Sequence, residues 1–444
     1  MATPTALAPP AAALDTRAIG ARLATHLRAP GAQVVDCRVV RYRHRPGARC
    51  VVQYGVTVRE ASGARVEARV VGQWHTGDRG AAARARTLAR RVDHGHGPWS
   101  SPFPPVFFDA ATDMLATTYP FDRRLPALAA VASGASPDVV APMRAHLGLA
   151  TDTPLTVDVA CVRYREQLNA VLRYDVRTAD AGAAGRHGRF FVKVYGDDGG
   201  ARMLAVHRAL TQVTAGRTPV GVAPAVAYVG ALGALVTAQA EGCPLDRVPL
   251  DRTGLASTLQ GVAAGLAAFG ALPLPAELPL ATAATGATDR SVAALAPVLP
   301  DQAASLASLA CATAVLADEP ATGLVHGDLK LEHVFVHGGQ VQLIDLDSCH
   351  RGLAAWDLAL LTERWWASRD ASPAERPLAD WGAHVLAMAY FARVGPPGVP
   401  LPLLRAAASL DVAAGLVKRR EPDWQARTSR LVSRAVRHLR AGRS

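Results

Sequence analysis

The sequence predicts an α+β protein with its sheets in the first half and its helices in the second. Three observations carry this. β-Branched runs separated by turn signals fill 34–74 and again 155–195. Apolar residues at helical spacing dominate after Leu250. A short strand–turn–strand segment interrupts those helices at 324–348.

The elements follow in order. Residues 1–29 read as a loose Ala/Pro-rich tail. VVDCRVVRYR, ARCVVQYGVTV and ARVEARVVGQW read as three strands, the first two joined by an HRPG turn. AAARARTLARRV reads as a helix with its arginines on the wet face. The same succession recurs downstream. VDVACVRYREQLNAVLRYDVRT supplies two strands, RHGRFFVKVYGDDGG a third strand and a loop, and ARMLAVHRALTQV a helix. Arg41-Tyr42 aligns with Arg163-Tyr164, Tyr54 with Tyr174, and Gly77–Gly80 with Gly196–Gly200. We read a duplicated sheet-plus-helix unit, 30–150 and 151–245, followed by a helical part, 246–444. In this alignment Lys193 of the second copy meets Gly72 of the first, so only the second copy has a strand lysine to offer a phosphate. Beyond the repeat, the Ala-rich run 254–286 and SVAALAPVLPDQAASLASLACATAVLAD read as helices. Helices resume near Trp356 and break at the Pro-rich stretch 396–402. The last stretch, with Val432, Val436 and Leu439 on one side, reads as a closing amphipathic helix rather than one lying on a membrane surface.

Composition narrows the function. The chain has 444 residues, 50% hydrophobic and 19% charged, which is globular and enough for two or three domain-sized units. The net charge of +11 invites an anionic partner, but the arginines are scattered and no aromatics interleave with them. Nucleic-acid binding is therefore not expected. Six cysteines form no CxxC pair, and read as buried free thiols rather than a zinc site. His94, His96, His326, His333, His337 and His350 form no metal-site spacing among themselves. The N-terminus is a poor signal peptide, and no apolar stretch reaches the roughly 18 residues of a membrane span. A soluble cytoplasmic protein without membrane contact is the expectation.

The chemistry concentrates in His326-Gly327-Asp328-Leu329-Lys330-Leu331-Glu332-His333, followed by Ile344-Asp345-Leu346-Asp347. Phosphoryl transfer from a nucleotide needs a carboxylate on the attacking hydroxyl, oxygen ligands for divalent metal, and a cation on the phosphates that stay behind. Asp328, Asp345 and Lys193 can supply them. Two of only three lysines in the chain, Lys193 and Lys330 but not Lys418, fall at these positions. A compact ammonium is a point-charge phosphate binder, unlike a guanidinium.

The segment resembles the catalytic loop of the aminoglycoside/choline phosphotransferase group within the protein-kinase-like superfamily. Ala355-Trp356-Asp357-Leu358-Ala359 looks like the group's following helix, and Glu241-Gly242-Cys243-Pro244-Leu245 like its hinge exit. The resemblance implies a protein-kinase-like two-lobed fold, a small antiparallel sheet lobe with a mainly helical lobe, here with an extra degenerate N-lobe-like domain at the N-terminus. It implies ATP with Mg2+ or Mn2+, and transfer of the γ-phosphate to a hydroxyl of a small molecule such as an aminoglycoside, a sugar or a choline-like alcohol. The implied roles are Asp328 and Lys330 in catalysis, Lys193, His326 and His333 at the nucleotide, and Asp345, His333 and Asp347 at the metal. Three features depart from the pattern. His333 stands where the group has Asn, and could ligate metal, bond to Asp328, or do neither. The helix after Lys193 has no Glu to pair with it, leaving Asp197 or Asp198 as substitutes. The third weighs less: Arg165-Glu166-Gln167-Leu168-Asn169 occupies the place of a Gly-rich phosphate loop, which members of the group often lack. These departures keep open a nucleotide-binding pseudokinase with a scaffolding role.

Overall fold

The structure is a computed structural model. It describes residues 11–45, 49–75, 81–92, 101–178, 185–216, 219–248, 252–273, 285–369, 372 and 374–442. The first ten residues of the expected tail, part of the HRPG turn, Gly77–Gly80, His94, His96 and part of the Ala-rich run lie outside the described residues. The chain forms two compact units. One comprises 1–200, 226–236 and 418–422, the other 201–225, 237–417 and 423–444.

The first unit holds two five-stranded sheets built on one plan. Helices α1 (Ala11–Leu14) and α2 (Thr16–Ala24) precede β1 (Gln33–Arg45), β2 (Arg49–Arg59) and β3 (Arg65–His75). Then come α3 (Ala81–Val92), β4 (Val106–Asp109) and β5 (Met114–Thr118), with spatial order β1-β2-β3-β5-β4. Helices α4 (Leu128–Ala132) and α5 (Pro137–His146) precede β6 (Leu155–Arg165), β7 (Asn169–Thr178) and β8 (His187–Tyr195). After α6 (Gly199–Thr214) and β9 (Val220–Val222) come β10 (Ala225–Val229) and β11 (Ala234–Ala238). The second order is β6-β7-β8-β11-β10, the first order over again.

The helices before each meander act alike. Asp15 caps α2 by accepting from the main-chain N–H groups of Arg17 and Ala18. Ile19 and Leu23 then pack with Val52, Tyr54, Val56 and Val70 into one core. The Tyr54 hydroxyl donates to Ala13 O at 2.6 Å, and the Tyr174 hydroxyl donates to Val131 O. Each buried phenol thereby finds the partner that burial demands.

These tyrosines correct the expected alignment. Tyr54 pairs with Val70, and Tyr174 with Phe190. Counting three residues onward from each partner, Lys193 corresponds to Gln73, not Gly72. Because strand side chains alternate between faces, Gly72 lies on the opposite side. A Cβ there would stand 2.7 Å from Met114 Sδ and 2.8 Å from the Trp74 ring, so glycine makes room for core packing.

The second unit is mainly helical. Its strands are β12 (Cys243–Pro244), β13 (Gly323–Val325), β14 (Val334–His337), β15 (Gln340–Leu343) and β16 (His350–Gly352). Its helices are α7 (Arg252–Gly270), α8 (Thr285–Leu295), α9 (Ala303–Thr313), α10 (Ala355–Arg369), α11 (Arg376–Val394), α12 (Leu401–Arg419) and α13 (Trp424–Ala441). The core joins Leu306 and Leu309 of α9, Leu360 and Trp366 of α10, Leu404 and Leu410 of α12, and Leu431 and Val432 of α13. The apolar side of the last helix is thus covered.

A buried carboxylate ties three of these helices together. Glu363 on α10 accepts from Arg405 and Ser409 of α12 at 2.7 and 2.8 Å, and from Arg434 of α13 at 2.7 Å. Burial alone would raise the Glu363 pKa, but His438, Arg405 and Arg434 outweigh it and hold the group ionised. No helix among the described residues is long and apolar enough to cross a membrane. All six cysteines are free, and Cys243 and Cys311 are exposed, contrary to the expected burial.

Candidate active site

The site grows from β13, which pairs antiparallel with β16 and delivers His326 into the interior. His326 is fully buried. Its main-chain N–H donates to Asp357 Oδ2 at 2.6 Å, and that of Gly327 to Asp357 Oδ1 at 3.0 Å. The His326 ring bonds through Nε2 to Ile344 O at 2.8 Å. Gly327 has φ +78°, and a Cβ there would stand 2.5 Å from Ser348 O, so only glycine fits. One acid in the first turn of α10 therefore clamps the start of the loop. Burial raises the pKa of Asp357, against the opposing pull of His326 and the two N–H groups.

Asp328 follows with both oxygens engaged. Lys330 Nζ lies 3.0 Å from Oδ2, and Arg364 Nη2 lies 2.6 Å from Oδ1. Burial would push the Asp328 carboxyl up, but Arg364 and Lys330 together hold it down to about 2. It is a carboxylate at neutral pH. Arg364 also donates to Leu329 O at 2.9 Å. It went unread in the sequence, yet it lies seven residues after Asp357 on α10. Two helical turns put both on one face, and that spacing was the available signal.

The short turn Leu331–His333 buries the imidazole of His333 beneath Asp328. His333 Nδ1 lies 3.1 Å from Asp328 O, a carbonyl that can only accept, so Nδ1 carries the proton. Nε2 then presents its lone pair, 3.7 Å from Asp345 Oδ2. Burial, reinforced by Lys330, lowers the His333 pKa to about 3, so the ring is neutral. A neutral imidazole nitrogen facing a carboxylate oxygen is a donor set that fits a divalent cation. Among the described residues, no group of three or more His, Cys, Asp or Glu side chains is arranged as a complete metal cage. A cation bound through one or two protein groups plus substrate phosphates needs no such cage.

Asp345 itself has φ +60° and ψ +55°, a left-handed conformation that turns the chain out of β15 into the turn Leu346–Ser348. Asp347 lies half-buried in that turn. The expected hinge exit is pinned by the same hairpin. Cys243 pairs with Val336, and Glu241 N donates to Gln342 Oε1 at 2.9 Å.

The second unit thus brings together His326, Asp328, Lys330, His333 and Asp345, and adds Asp357 and Arg364. Lys193 belongs to the first unit. It sits on β8 opposite Val171, with Nζ 5.6 Å from the centre of the Tyr195 ring. Of the two acids weighed in place of a helix glutamate, Asp197 accepts from Gly199 N at 3.0 Å and so opens α6.

Among solved structures, the chain is similar to an aminoglycoside phosphotransferase from Streptomyces rimosus, at 23% identity and TM-score 0.40, covering 61% of this chain and 96% of the other. It is similar to a choline/ethanolamine kinase family protein from Mesorhizobium loti, at 15% identity and TM-score 0.42, covering 69% and 99%. A choline kinase from Cryptosporidium parvum matches at 10% identity and TM-score 0.42, covering 64% and 89%. No curated protein matches. Residues 170–397, just over half of the chain, match the family described as "Phosphotransferase enzyme family", and the chain belongs to it.

Proposed function

We propose that the chain is a small-molecule kinase that moves the γ-phosphoryl group of ATP to an acceptor hydroxyl. The observation that carries this reading is the Asp328 carboxylate, held ionised by Arg364 and Lys330, with its main-chain O on the same His333 ring that faces Asp345. Asp328 orients the acceptor hydroxyl. As the acceptor oxygen bonds to the γ-phosphorus, the bond to the β–γ bridging oxygen breaks and ADP leaves. The hydroxyl proton passes to Asp328. A carboxylate of such low pKa is a weak base, which suits a loose transition state in which the proton moves late. Lys330 steadies charge beside Asp328, and Lys193 binds the phosphates that remain on the nucleotide. Asp345 and His333 are the residues that would hold a divalent cation, with Asp347 two residues further along the chain as a further candidate; the cation would supply charge neutralisation on the phosphate oxygens. His326 shapes the loop from inside. In this reading 30–150 is a copy of the sheet lobe that has lost the phosphate lysine.

The test is ATP consumption across a panel of hydroxylated small molecules, with Mg2+ and with Mn2+. Acceptor-stimulated turnover is expected. Imidazole suits Mn2+ better than the harder Mg2+. His333→Asn is therefore expected to keep or raise activity with Mg2+; complete loss would give His333 a chemical role of its own.

A second reading is favoured by one observation. Both oxygens of Asp328 are already satisfied by cations, as they would be in a nucleotide-binding pseudokinase. Nucleotide binding without turnover for any acceptor would select it.

A further inference from the structure

Between β6 and β7 the chain turns through Glu166, Gln167 and Leu168, where the resemblance led one to look for a phosphate loop. This turn is not a free surface loop. Glu166 is only 4% exposed. Its Oε2 pairs with Arg43 of β1, and its Oε1 accepts from Gln73 Nε2 of β3 at 3.3 Å. Arg43 also donates to the main-chain O of Glu166 at 3.2 Å. Gln167, at φ +56°, donates its N–H to Asp122 Oδ2 at 2.7 Å, and the same oxygen accepts the Tyr164 hydroxyl at 2.8 Å. The other oxygen of Asp122 takes the N–H of Arg124 at 2.8 Å. Two consecutive residues of the turn, which like 43–122 precedes the family-matched residues 170–397, are therefore gripped by Arg43, Gln73 and Asp122.

Gln73 is also the residue that stands where the second sheet has Lys193. The first sheet has turned its counterpart of the phosphate-lysine position into a seat for a carboxylate of its neighbour. Burial raises the Glu166 pKa, and Arg43 opposes this. Removing Arg43 would leave a buried charge without its strongest partner, which displaces the group rather than being tolerated.

We propose that the N-terminal sheet sets the position of the 166–168 turn for nucleotide binding, with Arg43, Gln73 and Asp122 as positioning residues and Glu166 as the handle they hold. This rests on the kinase reading above. A turn without glycine flexibility that is fixed beforehand loses no ordering entropy when the nucleotide arrives, and releasing it would weaken binding without touching a phosphate contact.

The experiment is calorimetric binding of the non-hydrolysable ATP analogue AMP-PNP with Mg2+ to the full chain, with melting temperatures alongside. Arg43→Gln and Glu166→Gln are each expected to raise Kd about tenfold, and the double variant no further than either single one, because both remove the same contact. Gln73→Leu removes one 3.3 Å bond to the carboxylate but no charge, preserves the fold if Arg43→Gln does not, and is expected to raise Kd about threefold. A purely structural role would lower the melting temperature and the fraction of binding-competent chains while leaving Kd unchanged, and that result would overturn the proposal. Wild-type protein that binds no nucleotide would sink the kinase reading and this inference with it. Wild type that binds, with all variants matching it, would sink this inference alone.

Discussion

The two sheets of the first unit run in one strand order, and each hangs from a preceding helix by one tyrosine hydroxyl, Tyr54 or Tyr174. One of the positions at which they differ is Gln73 in the first and Lys193 in the second. On the packing face the two copies remain interchangeable in kind. On the other face one carries an ammonium proposed for phosphate, and the other an amide that holds Glu166. A duplicated scaffold can keep the side that folds it and change the side that does chemistry, because strand alternation keeps the two apart.

The comparison breaks most visibly if this chemical difference is erased. Lys193→Gln gives the second sheet the residue of the first, and is expected to cut kcat by about 10²–10³-fold, the usual loss for one charge-stabilising donor. Activity within a few-fold of wild type would remove Lys193 from the site. Gly72→Ala tests the register. A methyl group there meets Met114 and Trp74, so a loss of about 1–3 kcal/mol in denaturant unfolding is expected, with nucleotide affinity unchanged. No loss would return Gly72 to the exposed chemical face. An effect of similar size tests the symmetry itself. Tyr54→Phe and Tyr174→Phe each strip one buried carbonyl of its donor and should cost a similar amount, about 1–3 kcal/mol. A large inequality between them would show that the copies are not packed alike.

What was legible in the sequence was mostly local. His326, Asp328, Lys330, His333, Asp345 and Asp357 lie within one short stretch, and the family resemblance they carry marks the loop and the helix that follows. The meanders were legible through alternation and turn residues. The alignment of the copies slipped by one at the critical place because matching residues along the chain ignores pairing parity, which the Tyr54–Val70 and Tyr174–Phe190 partners define. Arg364 was within reach through its helical spacing from Asp357. The grip on Glu166 was not, since it joins residues 123 positions apart that no local pattern relates. Glu363 reads as an ordinary helix acid until α12 and α13 fold over it, and Cys243 and Cys311 read as core until their neighbours are known.

The central claim is that Asp328 acts on the acceptor and not on the nucleotide. The direct measurement is turnover and nucleotide affinity of Asp328→Ala beside wild type, with Glu363 and its partners left intact so that the helical unit keeps its fold. The account predicts that acceptor-dependent ATP consumption disappears while nucleotide Kd stays within about threefold of wild type. Undiminished turnover in a folded Asp328→Ala protein would contradict it.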